Sequence, residues 1–303
     1  MTPPHRCGAV AIIGRPNVGK STLLNRLVGQ KLASVSPKPE TTRDRLLAIV
    51  TRPDAQILLT DTPGIYKGPK TLMGKHQVQV AREALAEADA LLALIDGTAG
   101  FTDDDRDLLR LLPRRREDGR PVKPVFLAIN KVDKASKPLL LPQIEEALRL
   151  YPFTEVFPIS AMNGENVHEL VNALIAALPE GPPHFPPDQV TDKPVRLLAQ
   201  DLIREKALMF THEEVPHAVA VLIDEWRDGT RGKKLYVRAT LYVERDTQKA
   251  ILVGKGGGVL KKIGEASRKE LEKLVERPVF LDLWVKLAKN WRKDPVMLRR
   301  LGF

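Results

Sequence analysis

Short hydrophobic runs alternate with amphipathic stretches over roughly the first 180 residues of the chain. The runs are rich in Val, Ile and Leu, which predicts strands that are buried on both faces of a sheet. These runs occupy residues 9–13, 46–51, 56–60, 90–96, 125–130 and 155–160. Helical periodicity occupies residues 21–28, 73–88, 103–112, 142–150 and 166–178. The alternation predicts an α/β domain with a mostly parallel sheet and helices on both faces, which binds ligands at the carboxyl ends of its strands.

A proline-rich run ends this pattern. Residues 179–187 read PEGPPHFPP, with five prolines in nine residues, a composition that favours extended backbone. We interpret it as an interdomain linker, although a long surface loop has the same composition. Beyond it the periodicity predicts helices at 195–209 and 259–276, strands at 218–225, 234–244 and 279–285, and a helix or strand at 247–253. The predicted division is therefore a first domain at 1–179, a linker at 180–190 and a smaller α+β domain at 191–303.

Charge is distributed unevenly over the 303 residues. Residues 229–303 contain 19 Lys and Arg against 8 Asp and Glu, a net charge of +11, whereas residues 1–228 contain 29 against 30, a net charge of −1. This concentration indicates a surface for a polyanion, either nucleic acid or anionic lipid. The single cysteine, Cys7, excludes an internal disulfide. No apolar run approaches the ~18 residues that a membrane span needs, and the start, MTPPHRCGAVAII, has no long apolar stretch after its basic residues. We therefore expect no membrane span and no signal peptide but a soluble intracellular protein.

The strongest motif follows the first predicted strand. Residues 14–21 read GRPNVGKS, which fits the phosphate-binding pattern G-x-x-x-x-G-K-[ST], and a predicted helix begins directly after it. The glycines let backbone N–H groups point at phosphate oxygens, and the helix N-terminus adds partial positive charge. We expect Lys20 to contact the β- and γ-phosphates and Ser21 to bind Mg²⁺. The predicted nucleotide-binding residues in this segment are Gly14, Arg15, Pro16, Asn17, Val18, Gly19, Lys20, Ser21 and Thr22.

The segment Asn130-Lys-Val-Asp133 distinguishes the nucleotide base. Guanine presents N1–H and N2–H₂ side by side, and one carboxylate accepts both, so Asp133 is expected to read guanine; adenine has no such pair. Asn130 is expected to brace the loop and the stem of Lys131 to cover the base. A backbone N–H after the sixth strand is expected to meet guanine O6, which adds Ser160, Ala161 and Met162 to the site. The predicted ligand is therefore GTP or GDP.

Two further segments are expected to contact the metal and the γ-phosphate. Residues 61–64 read DTPG and end the third predicted strand. Asp61 is expected to hold Mg²⁺ and the Gly64 N–H to contact the γ-phosphate, with Thr62 and Pro63 between them. A threonine of PETTRD, residues 39–44, is expected to complete the Mg²⁺ shell; we favour Thr42 over Thr41.

The residue after this loop glycine is Ile65, whose side chain cannot orient an attacking water by hydrogen bonding. Hydrolysis is therefore expected to depend on positioning and electrostatics, with Lys20, Thr42, Gly64 and Asn17 as the candidate catalytic residues. Arg43 is a weaker candidate for an additional positive charge.

The motifs GRPNVGKS, TTRD, DTPG and NKVD, in this order, resemble those of the bacterial assembly GTPases related to translation factors, and one phosphate loop argues against the members with two GTPase domains. After the linker, Gly254-Lys-Gly-Gly257 follows AILV and precedes a basic helix, which resembles the G-x-x-G loop of a type II KH domain. LDLWVK at 281–286 and the tail at 288–303 resemble the end of Era proteins. The whole chain is thus identified as a member of the Era family.

Membership implies a P-loop GTPase domain whose nucleotide state controls a KH domain. The resemblance implies binding to the single-stranded 3′ end of 16S ribosomal RNA, a role in 30S subunit maturation, and peripheral association with the inner membrane, for which the sequence has no anchor. Related GTPases with an Asn at the position of Asn17 use K⁺ near the phosphates, so Asn17 is a candidate K⁺ ligand; alternatively it only shapes the loop. We expect slow turnover and a monomer.

An exposed G-x-x-G backbone lets an RNA backbone approach closely, and a KH groove holds about four unpaired nucleotides. Lys255 is expected to meet a phosphate and Ile251, Val253 and Ile263 to form an apolar floor. The alternative is that the glycines are only a helix cap and turn. Trp284 is expected in the core rather than as a stacking platform, and Trp291 fits either role. The predicted RNA-binding residues are Ile251, Val253, Gly254, Lys255, Gly256, Gly257, Lys261, Lys262 and Ile263.

Overall fold

The computed structural model of the chain describes residues 4–35, 46–62, 72–113, 122–211, 215–229 and 234–301. It divides into two compact units, with the main division between Asp192 and Lys193. The first unit is α/β and the second is α+β, which confirms the predicted fold class. Within the described ranges, no helix is both long enough and apolar enough to cross a membrane.

A six-stranded sheet in the order β2-β3-β1-β4-β5-β6 forms the centre of the first unit. Every neighbouring pair is parallel except β2 with β3, whose three-residue connection permits only antiparallel pairing. In chain order the strands are β1 (Arg6–Ile13), β2 (Leu46–Thr51), β3 (Ala55–Asp61), β4 (Ala90–Asp96), β5 (Val125–Asn130) and β6 (Glu155–Pro158). The helices are α1 (Lys20–Val28), α2 (Leu72–Glu87), α3 (Asp103–Leu109), α4 (Leu140–Leu150) and α5 (Val167–Ala177).

Strands β3, β4 and β5 are buried at every residue, as continuous hydrophobic runs predict for strands covered on both faces. One core cluster joins β4 and β5 to α3 and α4 through side chains such as Ile95, Leu108 and Ile129. Because β1, β3, β4 and β5 run in the same direction, their carboxyl ends share one edge of the sheet. The phosphate, metal and guanine motifs all follow strands at that edge.

The proline-rich segment lies along the first unit. Its backbone forms isolated bridges from Glu180 to Arg6 and from Thr191 to Ala48. The Gln56 side chain also accepts from the N–H of Phe185 at 2.9 Å and donates to the carbonyl oxygen of Phe185 at 2.9 Å. The residues after 179 therefore run past the amino-terminal ends of β1 and β3 and reach the edge strand β2 at Thr191.

In the second unit, three strands in the order β7-β8-β9 pair antiparallel and then parallel. Residues 247–253, for which the sequence allowed two assignments, are helical. The elements are α6 (Val195–Phe210), α7 (Val215–Ala218), β7 (Ala220–Asp228), β8 (Leu235–Val243), α8 (Asp246–Val253), α9 (Gly258–Leu274), β9 (Val279–Leu287) and α10 (Pro295–Arg300). The core lies between one face of the sheet and helices α6, α8 and α9.

The two tryptophans near the C-terminus have opposite environments. Trp291 is fully buried, and its indole N–H donates to the carbonyl oxygen of Ala218 at 2.8 Å. Trp284 was predicted to be in the core, but 53% of its surface is exposed. The prediction was wrong because β9 alternates between two faces, and Trp284 lies on the face opposite α9.

Candidate functional site

The phosphate loop occupies the turn between β1, which ends at Ile13, and α1, which begins at Lys20. Asn17 and Gly19 have left-handed backbone, with φ of 64° and 106°. A Cβ atom at Gly19 would lie 2.1 Å from the Asn130 side-chain nitrogen, so glycine is required there by both conformation and space. The loop therefore has the tight curl that turns backbone N–H groups toward an anion.

Lys20 is buried at the start of α1, and its ammonium donates to the carbonyl oxygens of Gly14 at 2.8 Å and Arg15 at 3.1 Å. Burial lowers the pKa of the Lys20 ammonium below its ordinary value, and the nearby carboxylate of Asp61 opposes this shift. The lysine thus places positive charge at the helix N-terminus, where phosphate binds most favourably.

Two predicted metal ligands are in contact. The Ser21 hydroxyl donates to Oδ2 of Asp61 at 2.9 Å, and Asp61 is fully buried at the end of β3. The next residue, Thr62, ties this strand end to β1 by donating to the carbonyl oxygen of Ile12 at 2.9 Å. A hydroxyl and a carboxylate oxygen beside a phosphate loop are the hard oxygen donors that Mg²⁺ prefers, so the donor set fits this ion.

Several predicted residues of the metal and switch segments lie outside the described residues. These are Thr41, Thr42, Arg43, Pro63, Gly64 and Ile65.

Asn130 joins the loops of the guanine site. Its amide nitrogen donates to the carbonyl oxygen of Val18 in the phosphate loop at 2.7 Å, and its amide oxygen accepts from the Ala161 N–H at 2.8 Å. Asp133 is exposed, and its Oδ1 accepts from the Ser160 hydroxyl at 2.6 Å. The hydrogen bond from Ser160 therefore orients the Asp133 carboxylate, which is predicted to read guanine. The Ala161 N–H already donates to Asn130, so it can donate to guanine O6 only by sharing its hydrogen between the two acceptors.

A carboxylate that the sequence analysis missed lies beside Lys131. The Lys131 ammonium is 2.6 Å from Oδ2 of Asp96 at the end of β4, and Oδ1 of Asp96 accepts from the N–H and hydroxyl of Thr98. Burial raises the pKa of Asp96, but the hydrogen bonds from Lys131 and Thr98 outweigh it and bring that pKa below its ordinary value. The Lys131 backbone is in the left-handed region, with φ of 69°, and its side chain is held by the pair with Asp96.

Two arginines connect the same edge to neighbouring helices. Arg26 of α1 donates to the carbonyl oxygens of Ala161, at 2.6 Å, and Met162. Arg15 pairs with the buried Asp105 of α3, Nε to Oδ2 at 3.1 Å. Neither link had a local signal, because its partners are separated by 135 and 90 residues respectively.

The glycine-rich loop of the second unit separates α8 from α9. Gly254, Gly256 and Gly257 have positive φ. A Cβ at Gly254 would lie 2.5 Å from the Val259 side chain, whereas a Cβ at Gly256 or Gly257 would meet nothing within 4 Å. Gly254 is thus a steric requirement, while the next two glycines present open backbone that another chain can approach.

A cavity of about 350 Å³ runs between α9 and β9 beside this loop. The lining residues from Gly257 onward recur at spacings of three and four, so they lie on one face of α9. The lining residues are Gly257, Leu260, Lys261, Gly264, Glu265, Arg268, Leu281 and Leu283.

The groove floor differs from the predicted one. Ile263 is fully buried in the core of the second unit, because it faces inward one position away from the groove-facing stripe, so it is not part of the floor. Ile251 and Val253 lie on α8 and do not line the cavity. The apolar part of the groove is formed by Leu260, Leu281 and Leu283. Lys261 lines the groove, while Lys255 and Lys262 are exposed residues near it.

Comparisons with known proteins match both units. Residues 9–131 match the model of the 50S ribosome-binding GTPase family, and residues 214–292 match the KH domain model. A crystal structure of Era from Aquifex aeolicus bound to GDP and AlF₄⁻ is 43% identical, with a TM-score of 0.91, over 98% of this chain and 99% of that one. Era in complex with MgGDPNP and nucleotides 1506–1542 of 16S ribosomal RNA is 44% identical, with a TM-score of 0.92 and the same coverage. The chain therefore belongs to the Era family of GTPases.

Proposed function

We propose that this protein is a GTP-hydrolysing switch that binds the single-stranded 3′ end of 16S ribosomal RNA through its KH domain and acts in 30S subunit assembly. One observation carries the proposal: a phosphate loop and an Asn130–Asp133 segment meet at one sheet edge, in a chain that also has an open glycine loop beside a groove. Similarity to Era over 98% of the chain supports both halves.

In the nucleotide half, the curled loop and Lys20 bind the β- and γ-phosphates, and Asp133 accepts the two guanine donors. Ser21 and Asp61, with Thr42, hold Mg²⁺, which neutralises charge that develops on the phosphates. Era from Aquifex aeolicus was crystallised with GDP and AlF₄⁻, and AlF₄⁻ imitates a phosphoryl group in transfer. Asn17, Lys20, Thr42 and Gly64 remain the proposed catalytic residues, and turnover without a partner is slow because Ile65 cannot orient water.

In the RNA half, about four unpaired nucleotides lie along the groove between α9 and β9. The backbone of Gly256 and Gly257 allows close approach of the RNA backbone, and Lys261 and Arg268 supply positive charge. The relative bound to nucleotides 1506–1542 supports the choice of the 16S 3′ end. The proposed functional division follows the sequence boundaries, with a GTPase domain at 1–179, a linker at 180–190 and the KH domain at 191–303.

Crosslinking to total cellular RNA with GTP and with GDP tests the proposal. We expect the 3′ end of 16S RNA to be the main product and its yield to depend on the nucleotide. Lys20→Ala should abolish nucleotide binding and remove that dependence. Gly257→Asp should lower crosslinking at least tenfold, because it places a carboxylate against the RNA backbone, and should leave GTP hydrolysis intact. Equal crosslinking by Gly257→Asp would contradict the groove assignment.

We further propose that Asn17, whose backbone is held at φ of 64° in the phosphate loop, contributes a ligand for K⁺. GTP hydrolysis should then be faster in K⁺ than in Na⁺ at equal ionic strength, and equal rates would contradict the role. The localisation we propose is cytoplasmic, with peripheral attraction of the basic segment to the inner membrane. Competition between RNA and anionic vesicles at stated salt separates this weaker contact from RNA binding.

Two alternatives make different predictions. If hydrolysis is vestigial and the protein is an RNA-binding scaffold, Lys20→Ala will still support 30S assembly. If the protein is mainly a membrane-surface GTPase, vesicles will displace RNA from the basic segment. The open glycine backbone beside a groove favours RNA, because it suits a polynucleotide backbone better than a lipid headgroup.

A further inference from the structure

One face of the sheet in the second unit is not covered by α6, α8 or α9. The C-terminal segment packs over part of this face, where Trp291 and Leu301 contact Ala220 and Tyr242. Farther along β9, Phe280 and Trp284 are 57% and 53% exposed. Phe280 and Trp284 are thus two large aromatic side chains on one face of one strand, and the exposure of more than half of each calls for an explanation. We refer to Phe280, Trp284 and their neighbour Tyr236 as the aromatic face.

Cross-strand register builds this face as rows. Arg227, Tyr236 and Phe280 are directly paired across β7, β8 and β9. The rings of Tyr236 and Phe280 are stacked, with centroids 5.7 Å apart and planes 11° from parallel. The Arg227 guanidinium lies 4.6 Å from the centroid of the Tyr236 ring. The first row is therefore a cation beside two stacked rings, a surface suited to flat π-systems.

The next row on this face places Asp282 between Phe280 and Trp284 along β9. Asp282 accepts hydrogen bonds from the Tyr236 hydroxyl and from Nε of Arg238, both at 3.0 Å. Burial raises the pKa of Asp282, but its interactions with Trp284, Arg238 and Tyr236 outweigh burial and bring that pKa below its ordinary value, so the acceptor remains a carboxylate. The Tyr236 ring, and with it the Phe280 ring stacked on it, is thus oriented before any ligand arrives, which lowers the entropic cost of binding.

The position of β9 connects this face with the groove. β9 is an edge strand, and its successive side chains point to opposite faces of the sheet. Leu281 and Leu283 line the groove against α9, whereas Phe280 and Trp284 lie on the aromatic face, about 13 Å apart along the strand. A chain that leaves the groove therefore needs to cross only one strand to reach the rings.

We propose that the aromatic face is a second contact surface for single-stranded RNA, on which bases that extend beyond the groove stack against Phe280 and Trp284. This rests on the proposed RNA-binding function. Aromatic side chains on a sheet are a common platform for unpaired bases, and arginine planes and nearby cations complete it. Arg227, which also pairs with Glu225, and Lys286 are exposed on this face beside the rings, and their positive charges can face the negative RNA backbone.

The test replaces the rings by side chains that are apolar but not flat. The full chain with Phe280→Leu and Trp284→Leu is compared with wild type for binding of labelled nucleotides 1506–1542 of 16S ribosomal RNA. Stacking on two aromatic side chains predicts that affinity falls about tenfold or more. A short RNA of about four to six nucleotides, which one groove can hold, should bind both proteins equally. Val296→Ala, at another exposed apolar position of this unit, is the matched control and should change neither affinity.

Tryptophan fluorescence gives a direct readout. All three tryptophans, Trp226, Trp284 and Trp291, lie in the second unit, and Trp284 alone is exposed. The long RNA should quench wild-type emission and leave Trp284→Phe largely unquenched, because base stacking requires contact with the indole. Trp284→Phe retains a ring, so its RNA affinity should fall less than that of the leucine pair.

Unchanged affinity of the leucine pair for the long RNA, without quenching of Trp284, would overturn the proposal even if the groove binds the short RNA. If the leucine pair retains its affinity for both RNAs but no longer binds a protein that wild type binds, the proposal is also overturned, and the face is assigned to a protein partner. If wild type binds neither RNA, the proposed function fails and this surface with it. Near-equal thermal unfolding of wild type and the leucine pair verifies that the exposed substitutions leave the fold intact.

Discussion

The nucleotide edge of the first unit and the groove of the second unit are both built around glycine loops, but they are held in different ways. At the nucleotide edge, side chains from distant strands and helices cross-link the loops: Asn130 binds the phosphate loop, Lys131 binds Asp96, and Arg26 binds the Ala161 carbonyl. At the groove, Gly256 and Gly257 have open space around them, and the lining is largely aliphatic or long and charged.

The difference fits the two ligands. A guanine nucleotide is small and has a fixed pattern of donors and acceptors, so a cross-linked site preserves selectivity by keeping each partner in place. Unpaired RNA is long and flexible, and open backbone beside an apolar floor lets it approach without first displacing side chains. The nucleotide edge should therefore lose nucleotide affinity when single hydrogen-bonding side chains are removed. The groove should lose RNA affinity when its backbone geometry is disturbed.

The largest effect is expected from Asn130→Ala. The substitution removes hydrogen bonds to both the phosphate loop and the Ala161 N–H, so these two loops lose their common partner. We expect GDP affinity to fall at least 100-fold, equivalent to about 3 kcal/mol, from two buried hydrogen bonds and the disordering of the site. Titration with a fluorescent GDP analogue measures it. Asn172→Ala, at an exposed amide of α5, is the control and should change GDP affinity little. A small effect of Asn130→Ala on GDP affinity would show that the two loops keep their positions without the Asn130 side chain.

A pair of glycine substitutions tests the glycine loop beside the groove of the second unit. Gly254 has φ of 71° and ψ of 173°, a conformation almost confined to glycine, and a Cβ there would lie 2.5 Å from Val259. Gly256, at φ of 59° and ψ of 24°, has open space. We expect Gly254→Ala to lower the free energy of unfolding of the second unit by ~2–3 kcal/mol and Gly256→Ala by ~1 kcal/mol.

Denaturant unfolding followed by tryptophan emission measures both variants, because all three tryptophans are in the second unit. Equal losses for the two alanine variants would mean that the contact with Val259 relaxes without cost, and that Gly254 is not a steric requirement.

Local patterns predicted the strands and the motif positions well. Runs such as 46–51, 90–96 and 125–130 coincide with β2, β4 and β5, because continuous apolar residues have few alternatives to a buried strand. The phosphate and guanine motifs were equally readable, since each is a short segment with a fixed spacing.

Long-range partners and faces were harder to predict. Asp96 and Arg26 act on residues 35 and 135 positions away, and no spacing rule connects them before the sheet order is known. Ile263 and Trp284 were assigned to the wrong faces. For Ile263 the helical phase was available, since Gly257, Leu260 and Gly264 mark the groove side of α9. For Trp284 the missing information was which face of β9 the helices cover.

A smaller effect is expected from Asp96→Asn. The amide retains the size of the carboxylate but loses its charge, so the 2.6 Å ion pair with Lys131 becomes a weaker hydrogen bond. We propose that Lys131 then covers the guanine base less often, and we expect GDP affinity to fall about fivefold, equivalent to ~1 kcal/mol. Competition binding measures it, with Asp104→Asn at an exposed position of α3 as the control. The double variant Asp96→Asn with Lys131→Met should lose no more affinity than Lys131→Met alone; additive losses would show that the two residues act separately.

The smallest effect is the pH dependence of the same ion pair. The pKa of Asp96 is lowered in the folded protein, so its contribution to stability is fully present above the ordinary aspartate pKa of about 3.9 and is lost as pH falls through the folded value. The difference in unfolding free energy between wild type and Asp96→Asn should therefore be at most ~1 kcal/mol at neutral pH and should shrink below about pH 4. Denaturant unfolding across this range, followed by far-ultraviolet circular dichroism, measures the difference. A difference that grows as the solution is acidified would mean that protonated Asp96 is the better partner, and that the carboxylate does not hold Lys131 by charge.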